Sequence, residues 1–205
     1  MKGILSLLKM KARSGKPSDD HTDSVLFSTA FAGQGVDDSM LVPWEARAVE
    51  VGAKRLPTSR GGKLLQGLWA KDKYMAHLDK DAVERMERFF EFAAVPSNRD
   101  VIRQDEYGNF MVVLLTGTIA VDRVQPWGEQ LRLTETRPGD ILGEMSLLDS
   151  GIRFSACTTL TDCEIAVLSA EAMDDMMTKD PQLAASLIAL LAHLITAGAW
   201  EQVLV

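Results

Sequence analysis

Between residues 95 and 169 the chain runs in short β-prone segments, each closed by turn residues, and this rhythm constrains the fold more than any other feature. Val101-Ile102 leads into the polar turn 104–109, Phe110–Leu115 ends at Thr116-Gly117, and Thr118–Val124 follows directly. Pro126-Trp127-Gly128 reads as a hairpin turn into Gln130–Thr134. Arg137-Pro138-Gly139-Asp140 turns the chain again into the short run Asp140–Leu142, and Ser155–Thr159 and Glu164–Leu168 close the series. Short strands at this spacing predict a small antiparallel barrel or sandwich. Helical patterns bracket it, so the class is α+β.

Upstream, Leu64, Leu65, Leu68 and Trp69 form one apolar helical face that Met75 and Leu78 continue, and Asp79 is placed to cap a second helix carrying Val83, Met86, Phe89 and Phe90. Helices are expected over 63–94, the β-run over 95–169 and closing helices over 170–205, all within a domain spanning 63–205. Residues 1–62 read as an N-terminal extension. Within it, 14–42 is rich in Ser, Gly, Asp and Thr and reads as a linker with at best short ordered pieces, and Pro57 to Gly62 reads as a break. Downstream, Ala170–Met177 makes a short helix and Asp180-Pro181 starts a longer one. That last helix carries apolar residues almost all round, among them Leu183, Leu187, Leu191, Leu194 and Ile195. Such a helix needs cover on every side. Pairing with a second copy through Leu187, Leu191, Leu194 and Ile195 supplies it; folding back onto the 63–94 helices is the alternative.

The 205 residues suffice for one domain with extensions. A net charge of −7 argues against a nucleic-acid-binding surface spread over the molecule, though it allows a local basic patch. Cys157 and Cys163 read as small buried hydrophobes in a reducing cytoplasm rather than a disulfide. Segment 1–13, MKGILSLLKMKAR, sets Lys2, Lys9, Lys11 and Arg13 around Ile4, Leu5, Leu7 and Leu8. It is too short and too interrupted for a secretory signal. A short basic amphipathic helix can lie on an anionic membrane face or dock on a partner, and a frayed terminus is the plainer reading. No stretch approaches the ~20 apolar residues of a membrane span. His21, His77 and His193 lie outside the β-run, so no metal site forms there and no base stands near Ser146, Cys157 or Cys163. Asp19-Asp20 and Asp174-Asp175 read as solvated charges.

Chemistry concentrates in 143–155, GEMSLLDSGIRFS. Gly143 lets a ligand approach the backbone, the turn that begins at Glu144 offers free N–H groups, and Arg153 brings a guanidinium that can fork onto a phosphate. Glu144 is suited to accept a hydrogen bond from a sugar hydroxyl. Together these groups describe a sugar-phosphate site; alternatively Glu144 and Arg153 simply pair with each other.

The segment GEMSLLDSGIRFSA resembles the phosphate-binding cassette of cyclic nucleotide-binding domains, a family that includes the catabolite activator protein, protein kinase regulatory subunits and nucleotide-gated channels. VIRQDEYGNFMVVLLTGTIAV resembles the family's early strands, RPGDILGE its turn into the cassette, and the helices after Leu168 its final pair, so the likeness spans about residues 75–200. It implies an eight-stranded antiparallel β-roll (a double-stranded β-helix, jelly-roll-like) flanked by helices, with no catalysis and no cofactor. The ligand implied is a cyclic nucleotide such as cyclic AMP, contacted by Gly143, Glu144, Met145, Ser146, Arg153, Phe154 and Ser155. Gly143 and Glu144 would hold phosphate and ribose, Arg153 the exocyclic phosphate oxygens, and the last helix would close over the base and pair two chains. The family's DNA-binding helix-turn-helix does not follow before Val205, so a cytoplasmic sensor signalling to a protein effector is expected, peripheral at the inner membrane face if residues 1–13 attach there. Phe154 departs from the Ala, Ser or Thr usual at its position. It motivates two rivals: an interaction or assembly module without a nucleotide, and a sensor of a different nucleotide such as cyclic di-GMP.

Overall fold

Strand β4 (Phe110–Thr116) is the hub, because both of its faces are apolar. Phe110, Val112 and Leu114 point into a core between two sheets, while Met111, Val113 and Leu115 point the other way into a core shared with helices. Period-two alternation sends one set to each side. In the computed structural model, which describes residues 26–71, 78 and 80–203, β4 sits in a five-stranded antiparallel sheet. Its order is β1 (Lys54–Arg55), β2 (Glu91–Val95), β9 (Cys163–Ser169), β4 and β7 (Ile141–Leu142). The facing four-stranded sheet runs β3 (Asp100–Ile102), β8 (Ala156–Thr159), β5 (Ile119–Val124) and β6 (Gln130–Glu135). The mixture of helices with a jelly-roll-like pair of antiparallel sheets is the class expected. Cys157 and Cys163 are free and buried.

Two strands answer to no β pattern in the sequence reading. β1 is a two-residue edge, and β2 occupies the end of the span expected to be helical. The helices there stop at a 3-10 turn over Glu87–Phe89, and Phe92, Ala93 and Val95 then fill the sheet against β9. Local spacing suggested a helix through Ala94; pairing with β9 overrides it. The expected break at 57–62 is instead the first turn of α3 (Thr58–Trp69), entered from Pro57. Gly61 and Gly62 serve packing: a Cβ on Gly61 would come within 2.2 Å of the Phe92 ring and one on Gly62 within 2.0 Å of the Glu87 carboxylate. Asp79 and Met75 lie outside the described residues, as do residues 1–13, Asp19-Asp20, His21 and His77.

The linker reading of 14–42 is corrected by α1 (Leu26–Gly33), one of the short ordered pieces allowed for, which is docked rather than free. Its Phe27 and Phe31 are buried. Its first turn is held by Asp174 of α6 (Ala170–Lys179), whose carboxylate accepts from the Phe27 and Ser28 N–H groups at 2.8 Å and from the Ser28 hydroxyl at 2.6 Å. Asp174 is therefore a buried cap, not a solvated charge, while Asp175 faces outward and pairs with Lys179. Asp174→Ala is expected to cost about 1–3 kcal/mol, since two helix N–H groups lose their acceptor. Urea unfolding measures the loss, and amide exchange should speed up first at residues 27–31; unchanged protection there would contradict the cap.

α2 (Trp44–Val51) packs on the opposite side, with Trp44 edge-on to Phe110 at 5.6 Å. α4 (Lys80–Met86) and α3 join α1, α6 and α7 (Pro181–Val203) over the five-stranded sheet. Leu183, Leu187 and Leu191 of α7 lie in the same core as Leu65, Trp69 and Met86, as the fold-back alternative has it. Leu187 and Leu191 are thus spent inside one chain and are not free for a partner, whereas Leu194 and Ile195 remain half-buried. Among the described residues no helix is long and apolar enough to cross a membrane.

Candidate functional site

The β7 strand ends at Gly143, and α5 (Glu144–Asp149) begins there as little more than one turn. Gly143 adopts φ +77, a left-handed conformation that turns the strand sharply into the helix. Ser150 caps the far end with φ 57, and Gly151 leads to Arg153. The main chain of Arg153 is clamped on both sides: its N–H donates to the Glu106 carbonyl at 2.8 Å and its carbonyl accepts from the Asp105 N–H at 2.9 Å.

Arg153 is the centre of the site. It is 3% exposed, donates from Nη1 to the Gly143 carbonyl at 2.8 Å and from Nη2 to the Phe110 carbonyl at 2.5 Å, and lies 4.7 Å from the Phe110 ring centroid. A Cβ on Gly143 would stand 2.5 Å from Nη1, and one on Gly108 would stand 2.7 Å from Nη2. The two glycines thus make room for the arginine, a use that the sequence reading of Gly143 as a ligand approach did not include. Among the described residues no carboxylate lies within ion-pair distance of Arg153, so the alternative in which Glu144 and Arg153 pair is not what forms. Burial depresses the Arg153 pKa to about 10, because charge is costly where water is excluded. Burial likewise raises the Glu144 carboxyl, with its own backbone N–H and the charge of Arg153 pulling the other way.

The other residues named in the cassette separate into two groups. Ser146 is buried and its hydroxyl donates to the Ile152 carbonyl at 3.4 Å, closing the loop on itself; Ser155 is half-buried next to the strand that carries Cys157. Met145 and Phe154 face outward, Phe154 with half its surface exposed. Phe154 is not idle: the Arg123 guanidinium lies 3.6 Å from its ring centroid, and Arg123 Nη1 donates to the Phe154 carbonyl at 3.3 Å.

Several contributors were not found in the sequence. Val42 donates to the Tyr107 carbonyl, and Tyr107 in turn bridges to Ile152. Arg47, 1% exposed, ion-pairs with Glu50 at 2.6 Å and with Glu106, the residue whose carbonyl holds the Arg153 backbone. Gln34 donates to the Asp149 carbonyl at 2.7 Å. Residues 34–47 therefore reach the cassette directly through Gln34 and at one remove through Tyr107 and Glu106. No local pattern announces this, since the partners lie 59 to 115 residues away in sequence for the two side-chain contacts. A lone arginine amid apolar Trp44, Ala48 and Val51 was the one available signal for Arg47.

The cyclic nucleotide-binding domain family matches residues 93–180. A CRP-like cAMP-activated global transcriptional regulator of Mycobacterium tuberculosis is 28% identical over 98 residues, covering 48% of this chain and 44% of that protein. The neuropathy target esterase sws of Drosophila virilis is 22% identical over 204 residues, covering 94% of this chain but 14% of its own length. The chain thus spans less than half the length of these curated relatives. In structure, a cyclic nucleotide-binding domain from Methylobacillus flagellatus superposes with a TM-score of 0.67 at 22% identity, over 73% of this chain and 84% of the other, which speaks for the fold.

Proposed function

We propose that this chain, whose residues 93–180 belong to the family of cyclic nucleotide-binding domains, is a non-catalytic cytoplasmic regulator that takes a cyclic mononucleotide, such as cyclic AMP, into its 143–155 cassette and signals to a protein partner. The observation that carries the reading is Arg153: a buried cation held by two carbonyl groups, with no carboxylate within ion-pair distance among the described residues. An unpaired buried charge is costly, and an anion offsets that cost. A cyclic phosphodiester is a compact anion that a guanidinium can fork onto, and Glu144 stands ready for the ribose hydroxyl. The name of the mycobacterial relative supports cyclic AMP as one ligand. The esterase likeness, over 14% of that protein, gives no ground for an enzymatic role here.

Ligand binding at Arg153 would bias the contacts that Gln34, Val42 and Arg47 make around the cassette, so the extension 1–62 is proposed as the output surface and 63–205 as the sensor. A homodimer is proposed through the face of α7 that carries Leu194 and Ile195. Calorimetric titration of the full chain with cyclic AMP, cyclic GMP and cyclic di-GMP tests the reading: micromolar binding of at least one is expected. No heat with any of the three would remove the sensor and leave a nucleotide-independent interaction module. For residues 1–13, flotation with anionic liposomes is expected to be stronger for the full chain than for a chain lacking them, and equal partitioning would end the proposed peripheral attachment to the inner membrane face.

A further inference from the structure

Helix α2 ends at Val51, far ahead of residue 93 where the match to the cyclic nucleotide-binding domains begins. Two of its side chains nevertheless stand behind the groups that hold Arg153. The turn at 105–107 grips the Arg153 main chain through the Asp105 N–H and the Glu106 carbonyl, and Phe110 accepts from its Nη2. That turn is itself pressed between cassette and extension. Tyr107 bridges to Ile152 on one side and to Leu41 on the other, and the Val42 N–H donates to its carbonyl at 2.8 Å. Arg47 fixes the arrangement by charge: buried in α2, it pairs with Glu106 of the turn and with Glu50 three residues on. Arg103 closes the ring from outside, pairing with Glu50 and, at 3.7 Å, with Glu106. Trp44, one helical turn before Arg47, sets its ring edge-on to Phe110.

Resting on the cassette reading above, we infer that Arg47 is a positioning residue for the nucleotide site, acting on Arg153 through Glu106. The turn it holds reads QDEYGN over 104–109, with Tyr107 as its one bulky anchor and Gly108 adding backbone freedom. Left alone, such a segment samples many positions, and the main chain of Arg153 moves with it. Arg47 removes that freedom before a ligand arrives, so the cost of ordering falls on folding and not on binding. Stability alone gives little reason for the residue. A buried ion pair is often no better than apolar packing, and the Arg47 Nε finds no acceptor among the described residues. What the guanidinium adds is a defined place for the Glu106 carboxylate, and with it for the carbonyl that holds Arg153. The nucleotide site thus includes a wall contributed by the N-terminal extension. By linkage, whatever draws α2 away lowers nucleotide affinity, and bound nucleotide holds α2 in place.

Whichever of cyclic AMP, cyclic GMP and cyclic di-GMP the full chain binds best is titrated into Arg47→Met, Glu106→Ala, the double variant, Arg47→Lys and Leu65→Ala. Arg47→Met keeps most of the side chain's bulk and leaves Glu50 and Glu106 to Arg103. Each of the first two single variants is expected to weaken the ligand by roughly 5- to 30-fold. The double variant should be no weaker than the poorer single one beyond about threefold, because both changes cut the same link. Arg47→Lys, whose ammonium still meets the Glu106 carboxylate, should return to within about threefold of the wild type. Leu65→Ala, in the core on the helix side of the five-stranded sheet, should lower stability and leave affinity within about threefold. Wild-type affinity in a folded Arg47→Met chain, additive losses in the double variant, or an equal loss in Leu65→Ala overturns the inference and leaves the cassette standing. Should Arg47→Met fail to fold, Glu106→Ala, in which Arg47 keeps Glu50, decides the question by the same criteria. Failure of the wild type to bind any of the three nucleotides overturns both.

Discussion

Replacing Arg153 with alanine is expected to weaken nucleotide binding by about 100-fold or more and to destabilise the fold by about 2–4 kcal/mol. The guanidinium serves two ends at once. It fills the space that Gly108 and Gly143 leave open, and it satisfies the Gly143 and Phe110 carbonyls. Alanine leaves both carbonyls without a donor in a buried setting, at about 1–3 kcal/mol each, and opens a void between the glycines. Part of this is recovered, because the variant no longer buries a cation whose depressed pKa, about 10, records its cost. Arg153→Lys separates the two roles. It keeps a positive charge but can neither span both carbonyls nor fork onto a phosphate, so it should fold better than the alanine variant and still bind poorly. Urea unfolding measures the first effect and calorimetric titration the second. Wild-type affinity in Arg153→Ala would place the ligand elsewhere.

The parts of the site that were legible in the sequence are those written in local spacing. Gly143, Glu144 and Arg153 fall within one strand–turn–helix passage, and the strands around them announce themselves by alternation and turn residues. Arg153 was legible as a cation but not as a buried one, because its burial depends on Gly108 and Phe110, more than 40 residues earlier in the chain. Asp174 was misread for the same reason: its partners, Phe27 and Ser28, lie 147 and 146 residues away, and nothing in the sequence around it shows that a helix end arrives there. Phe154 stood out at once as a departure, yet its contact with Arg123, 31 residues away on β5, was not visible there. β2 was lost because Val83, Met86, Phe89 and Phe90 satisfy a helical period up to the residue where sheet pairing takes over. In each case the missing information is a non-local contact, and the site is assembled mostly from such contacts.

Those non-local contacts also bear on how binding would be passed on. Helix α1 is tied at its start to Asp174 of α6, and just beyond its end Gln34 reaches the last residue of α5. The segment after it is bridged to Tyr107, and Arg47 of α2 reaches Glu106, whose carbonyl holds Arg153. A ligand that draws Arg153 away from the Gly143 and Phe110 carbonyls would therefore act on neighbours that are already engaged with residues 34–47. Such a change needs differential contacts in two states, and under the proposed function the arginine would supply them: carbonyl partners in one, phosphate in the other.

Two leucines one helical turn apart in α7 should then behave in opposite ways when each is changed to aspartate. Leu191 is fully buried in the core that also contains Leu65, Trp69 and Met86. Leu191→Asp removes its apolar contacts and puts a carboxylate into an apolar cluster, so a loss of about 4–5 kcal/mol is expected. That is a large fraction of the about 5–15 kcal/mol that holds a typical domain folded, and the variant should unfold at low urea or aggregate. Leu194 is only half-buried, so Leu194→Asp should cost no more than about 1.5 kcal/mol and leave the circular dichroism spectrum unchanged. If two chains pair along this face, the same variant should sediment as a monomer where the wild type sediments as a dimer, because an aspartate in an apolar contact must be desolvated without compensation. A folded Leu194→Asp dimer would remove Leu194 from the interface, and a stable, soluble Leu191→Asp monomer would contradict the packing of α7 against its own chain.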